Sequence, residues 1–270
     1  MITYLRRQAS IYGAIAAIVP KRFLAFEIWF WVSLILGAIE MMILVFFWRA
    51  VYGQTATLGG LSLDQTLTYI LLAQVFSALA DQDLIWEFGF SLREGLIAHM
   101  LLRPVGYQTS YYVQALAGLG VRLIMQLPMA LLATAAFGLR WPTDPAAWGA
   151  FLVSALLGYT ALFFFHWILA SLTFYTTEVW GLGVLVYGLT RFFSGGLMPL
   201  AIMPVWLRTL VLAIPFAQSL AIPLNFLSGI TPVAEAPATW LGQLAWVIGL
   251  GVVSQLFFRV AVRKVTVQGG

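Results

Sequence analysis

The sequence predicts an all-α polytopic membrane protein, and three observations carry the prediction. Only 9% of the 270 residues are charged while 62% are hydrophobic, and the mean hydropathy is +0.94; a soluble domain carries about a quarter charged residues. The apolar residues fall in long runs with few interruptions, such as residues 24–47, long enough for the roughly 20 residues a helical span needs. The alternation of a transmembrane strand is absent. Backbone groups in lipid must be satisfied within their own segment, which leaves helices.

Residues 1–22 set Ile2, Leu5, Ile11, Ile15 and Ile18 against Arg6, Arg7, Gln8 and Ser10. This stretch is too short and too charged to span, so it reads as an interfacial helix. Pro20 is expected to end it, with Lys21 and Arg22 at the membrane surface. No short apolar core precedes a small-residue cleavage site, so no removable signal peptide is expected.

Six spans are expected within residues 23–258. The first covers 23–52, longer than lipid requires, so it is tilted or protrudes. A Gly/Thr-rich loop at 54–64 leads to the second span, 65–80. The longest polar stretch, 81–104, follows. The third span is 107–137, and a turn with Pro142 and Pro145 leads to the fourth, 147–175. A tight turn at 176–181 opens the fifth, 182–200. Residues 201–239 hold Pro204, Pro215, Pro223, Pro232 and Pro237. The apolar runs between them are only about ten residues long, which predicts re-entrant or interfacial helices. The sixth span is 240–258, and a basic tail occupies 259–270. Trp48, Tyr52, Tyr107, Trp141, Trp148, Tyr175, Trp180, Trp206 and Trp240 stand at span ends, where aromatic side chains anchor at the interface.

Outside the spans, nine Lys and Arg lie in the N-terminal segment, the 81–104 stretch and the tail, against two on the other side, Arg140 and Arg208. The positive-inside rule puts both termini and the 81–104 stretch in the cytoplasm. The net charge of +4 therefore reports topology and predicts no nucleic-acid partner. No cysteine is present, which excludes disulfides, zinc–thiolate sites, iron–sulfur clusters and thiol catalysis.

The 81–104 stretch is the strongest functional candidate. It alternates acids with aromatics through Asp83, Trp86, Glu87, Phe88, Arg93 and Glu94. It reads either as a docking helix for a soluble partner or as an ordinary interfacial helix between two spans. Charges within spans cost roughly 2.5–3.5 kcal/mol on insertion scales, so Glu40, Arg122 and Arg191 each need a reason. A Glu40–Arg122 or Glu40–Arg191 pair would remove most of that cost; contact with a polar substrate or a lipid headgroup is the sharper reading.

His166 reads as a helix-contact residue rather than a ligand or base, and His99 lies too far from it for a metal site. The string Phe193–Ser194–Gly195–Gly196 is no nucleophile elbow; it reads as the break where the fifth helix ends. No P-loop and no dinucleotide fingerprint occurs, so ATP-driven work would need another polypeptide. A gradient-driven carrier or channel would have Glu40 as its deep acid. An intramembrane enzyme has no constellation to support it.

Two strings carry a family resemblance. One is Gly95-Leu96-Ile97 followed by Leu101-Leu102-Arg103-Pro104. The other is Ser194-Gly195-Gly196-Leu197-Met198-Pro199-Leu200 followed by Pro204-Val205-Trp206-Leu207 and Ile214-Pro215-Phe216. With the order of elements, they resemble permease subunits of type-2 ABC exporters, the type V exporter fold, and within them the small paired permeases. The resemblance spans nearly the whole chain. It implies that 1–22 is the connecting, or elbow, helix. It implies that Asp83, Trp86, Glu87, Phe88, Arg93 and Glu94 form a coupling helix on a nucleotide-binding subunit. Gly195, Gly196, Pro199, Pro204 and Pro215 would then belong to an extracytoplasmic re-entrant gate. It further implies two P-loop ATPase subunits that hold ATP and Mg, a second permease, identical or paralogous, and a bacterial inner-membrane location. The cofactors bind the partner; none is expected on this chain.

Overall fold

The computed structural model describes residues 2–24, 27–97, 106–176 and 179–264. His99, Leu101–Pro104, Glu178 and the end of the tail lie outside the described residues. The described chain consists of helices and short 3-10 turns, without a strand. The helices are α1 (Ile2–Leu24), α2 (Glu27–Val51), α3 (Leu63–Val75), α4 (Leu84–Arg93), α5 (Tyr107–Met125) and α6 (Leu127–Phe137). They continue as α7 (Pro145–Ser171), α8 (Val179–Phe193), α9 (Val205–Leu212), α10 (Phe216–Ser219), α11 (Ala221–Leu227) and α12 (Ala236–Ala261).

Local chemistry sets the helix ends. Ser62 caps α3 reciprocally: its Oγ accepts from Gln65 N at 3.3 Å, while Gln65 Oε1 accepts from Ser62 N at 3.0 Å, satisfying two orphan donors at once. Asp144 caps α7, accepting from Ala146 N at 2.9 Å, and Pro145 takes the first helical position, where its missing N–H costs nothing. α1 continues through Pro20 to Leu24, where the sequence predicted a stop. An interior proline removes one backbone bond, which this helix tolerates while it lies along α5.

Four helical segments are long and apolar enough to cross a membrane: Phe30–Gln54, Tyr107–Phe137, Pro145–Phe174 and Val233–Lys264. A fifth arises if α9 and the α10–α11 segment, bent by 76°, count as one span. The expected second and fifth spans are shorter than the roughly 20 residues of a full crossing: α3 has 13 residues and α8 has 15.

The bundle is apolar on the outside as well as within. Ile28, Ile35 and Phe46 on α2 and Leu241, Ile248 and Val252 on α12 are all exposed, a surface suited to lipid. Inside, α12, α10 and α11 pack against α7, and α2 packs against α3. Trp167, Tyr69, Tyr159, Phe88 and Phe163 are fully buried. Of the expected aromatic anchors, Trp180 and Trp206 are exposed, whereas Trp48 and Tyr52 turn into the core.

The proline-broken segment folds back onto the bundle. α8 ends at Phe193, and Gly195 follows with φ +85°, a left-handed conformation that glycine adopts without strain. The carbonyls of the break are met by side chains from α2 and α3. Tyr69 Oη donates to Gly195 O at 3.0 Å, Gln74 Nε2 to Gly196 O at 3.4 Å, and Trp48 Nε1 to Leu197 O at 3.3 Å. Deeper in, Gln243 Nε2 of α12 donates to Ser154 O and Gln218 O, each at 3.1 Å. Gly158 of α7 lies so close to the Gln218 carbonyl that a Cβ there would collide with it.

Candidate functional site: a polar cleft in the bundle

A cleft of about 720 Å³ opens among α2, α3, α4, α5, α6, α7 and α8. Its polar lining includes Glu40, Gln74, Asp81, Gln82, Asp83, Arg122, Gln126, His166 and Arg191, with the hydroxyls of Ser33, Ser77 and Thr190; Phe30, Leu34, Met125, Met129, Trp86 and Tyr187 supply apolar wall. This combination of volume, apolar wall and convergent polar groups suits a small-molecule site.

Charge pairing organises the lining. Arg191 of α8 forms an ion pair with Glu40 of α2, one of the two pairings the sequence allowed. Arg122 takes a different partner: its Nη1 bonds Asp83 Oδ2 at 3.1 Å, and its Nη2 donates to the backbone carbonyl of Asp81 at 3.2 Å. Arg122 lies midway along the candidate span Tyr107–Phe137. Asp81 and Asp83 are therefore held at mid-span level. They occupy the break between α3 and α4, with Asp81 half-buried and Asp83 exposed to the cleft side.

Hydrogen bonds fix the neighbouring amides and rings. Gln82 Nε2 donates to Tyr159 O at 3.3 Å, and Gln126 Nε2 donates to Ser77 Oγ at 3.2 Å. His166, buried on α7, meets the Thr190 hydroxyl at 3.2 Å. That hydroxyl gives its proton to Val186 O at 2.7 Å, so it accepts from His166 Nε2–H. Nδ1 is then a bare acceptor.

The expected docking residues separate into two sets. Leu84, Ile85, Phe88 and Ser91 face inward along α4. Phe88 is 0% exposed, with its ring against Tyr111 and Trp167. Phe88 is thus a core residue, because α4 packs on α7 and α8. Asp83 is held by Arg122, and Trp86 leans on Gly183 of α8. Glu87, Phe90, Arg93 and Glu94 are exposed and form one stripe at helical spacing. The expected gate residues are brought together only in part: Gly195 contacts Ala221 and Tyr69, Gly196 lies by Leu220, and Pro199, Pro204 and Pro215 stand just before a 3-10 turn, α9 and α10 respectively.

Sequence reasoning missed Asp81 and Asp83 as bundle residues. The available signal was Arg122 itself: a mid-span guanidinium demands a carboxylate, and the apolar run that follows Asp83 continues the helix.

The helical bundle, its lipid-compatible surface and its internal polar cleft define a multi-pass membrane permease. The family model described as ABC-2 family transporter protein matches residues 38–269, and the chain belongs to that family. Permeases of this family generally work with ATPase subunits. No curated protein and no solved structure matches the chain.

Proposed function

We propose that this chain is the permease subunit of an ATP-driven exporter that moves an amphiphilic or hydrophobic substrate. The cleft carries the reading: charged groups at mid-span, an apolar wall beside them and room for a small molecule. Mid-membrane charge is costly and is kept where it serves a pathway or a pair. The energy comes from a separate P-loop ATPase that binds ATP and Mg. The working unit contains a second permease, identical or paralogous, in a bacterial inner membrane.

In this reading the chain crosses six times, as α2, α3 with α4, α5 with α6, α7, α8 and α12. α3 and α4 are two halves of one broken span, since Phe88 of α4 meets Tyr107 and Phe258 near the ends of the neighbouring spans. α1 is the interfacial connecting helix, α9–α11 are re-entrant from the outer side, and both termini are cytoplasmic. The ATPase meets the far end of the exposed α4 stripe, at Phe90, Arg93 and Glu94, and the chain beyond it. A gradient-driven carrier would instead use Glu40 as its relay acid; the ion pair with Arg191 weighs against that.

The test is a gentle-detergent pull-down of the tagged chain from its native membrane, with identification of every copurifying protein. The expected result is a P-loop ATPase, with or without a second polytopic permease. An isolated chain, stable and active under a gradient without ATPase, would overturn the reading.

A further inference from the structure

Resting on the permease reading, we propose that the cleft binds an amphiphilic organic cation, with the Asp81 carboxylate as its counter-charge. The charges that line the cleft are Glu40, Asp81 and Asp83 against Arg122 and Arg191, which leaves one negative charge in excess. Both guanidiniums are committed, Arg191 to Glu40 and Arg122 to Asp83. Arg122 touches Asp81 only through its backbone carbonyl. Among the described residues the Asp81 carboxylate has no hydrogen-bond or ion-pair partner.

The remaining polar capacity points the same way. His166 Nδ1 is a buried acceptor without a partner. The hydroxyls of Ser33 and Thr190 give their protons to backbone carbonyls at 2.8 Å and 2.7 Å. An anion placed here would face one formal negative charge in excess, and the spare charged donors, Arg122 Nε among them, belong to guanidiniums already neutralised by Asp83 and Glu40. A cation would find a free carboxylate, which at reduced dielectric attracts far more strongly than in water. The wall adds Phe30, Trp86 and Tyr187, aromatic faces that attract cations and cover an apolar body.

The experiment is equilibrium dialysis of the purified full-length chain in detergent, with radiolabelled tetraphenylphosphonium and its near-isosteric anion tetraphenylborate. Retention is counted only where excess unlabelled ion displaces it. The expected result is displaceable retention of the cation over the anion. Asp81→Asn weakens it at least tenfold, Asp81→Glu restores most of it, and Asp64→Asn, in the first turn of α3, leaves it unchanged. Equal retention of both ions, or wild-type affinity in Asp81→Asn, would overturn the proposal. Charge selectivity in the wild-type chain keeps the test valid if Asp81→Asn does not fold. Binding requires neither ATP nor an ATPase. ATP-driven movement of another solute without cation retention therefore overturns the cation class alone. Cation retention by a chain with no ATPase partner overturns the drive and leaves the site.

Discussion

Arg122 clasps Asp83 across 39 positions of sequence, Nη1 to Oδ2 at 3.1 Å, while its second nitrogen holds the carbonyl of Asp81. The two contacts pin the break between α3 and α4 to the middle of the α5–α6 span. They give the bundle a charged floor where the hydropathy pattern alone suggested a surface loop.

Arg122→Ala leaves the carboxylate and the carbonyl without their donor. The Asp83 side chain is 66% exposed, so water replaces part of the loss, and the expected destabilisation is about 1 kcal/mol, the low end for an orphaned polar group. A double-mutant cycle with Asp83→Asn in detergent-monitored thermal unfolding measures the coupling. Strict additivity of the two substitutions would count against the pair.

The Glu40–Arg191 pair joins α2 to α8. The charge-reversed chain, Glu40→Arg with Arg191→Glu, is expected to regain most of the thermal stability and transport lost by either single reversal. A double reversal no better than the singles would show that one of the two residues acts alone.

Phe88 and Phe90 stand two positions apart on α4 with opposite fates. Phe88→Ala empties a ring from a closed aromatic cluster and is expected to cost about 3–5 kcal/mol. Phe90→Ala is expected to leave the melting temperature nearly unchanged. Combined with Glu94→Ala it should reduce recovery of the ATPase several-fold in a pull-down. Unchanged recovery would remove this stripe from the docking surface.

Gly158→Ala drives a methyl into the Gln218 carbonyl. The expected cost is about 1–3 kcal/mol, the range for overpacking. Gly149→Ala, on the same helix with open space around it, is expected to be neutral or slightly stabilising. Equal melting temperatures for the two variants would contradict the close approach of α7 and α10.

Gln243→Leu keeps the volume and deletes the donor shared by Ser154 O and Gln218 O. The expected loss is about 1–3 kcal/mol, since two buried carbonyls lose their partner. Proteolytic sensitivity between α9 and α11 should rise with it; an unchanged cleavage pattern would show that the fold-back does not depend on α12.

Much of this was legible in the sequence. Hydropathy alone gives the long helices α2, α5–α6, α7 and α12, since each is a long apolar run. The glycines after Phe193 and the prolines beyond them announce the fold-back, because neither residue type continues a helix. Glu40 and Arg191 were recognisable as a candidate pair from the cost of isolated charge in lipid. What failed was position 81. Polar residues at 81–83 look like a surface loop because sequence reveals charge but not the partner across the bundle. Phe88 looked like an exposed docking aromatic for a related reason: α4 is amphipathic, and its pattern does not say whether the apolar side meets lipid or Trp167.

The break after α8 offers only main-chain carbonyls to its neighbours, and all the donors come from elsewhere. The burden of identity therefore falls unequally on the two sides. Leu197 could become almost any residue without losing its bond, since its carbonyl persists through every substitution. Trp48, Tyr69 and Gln74 have no such latitude: each must keep a donor at the end of a side chain of that reach. A substitution survey of this region should find its intolerant positions on α2 and α3, remote in sequence from the turn they hold.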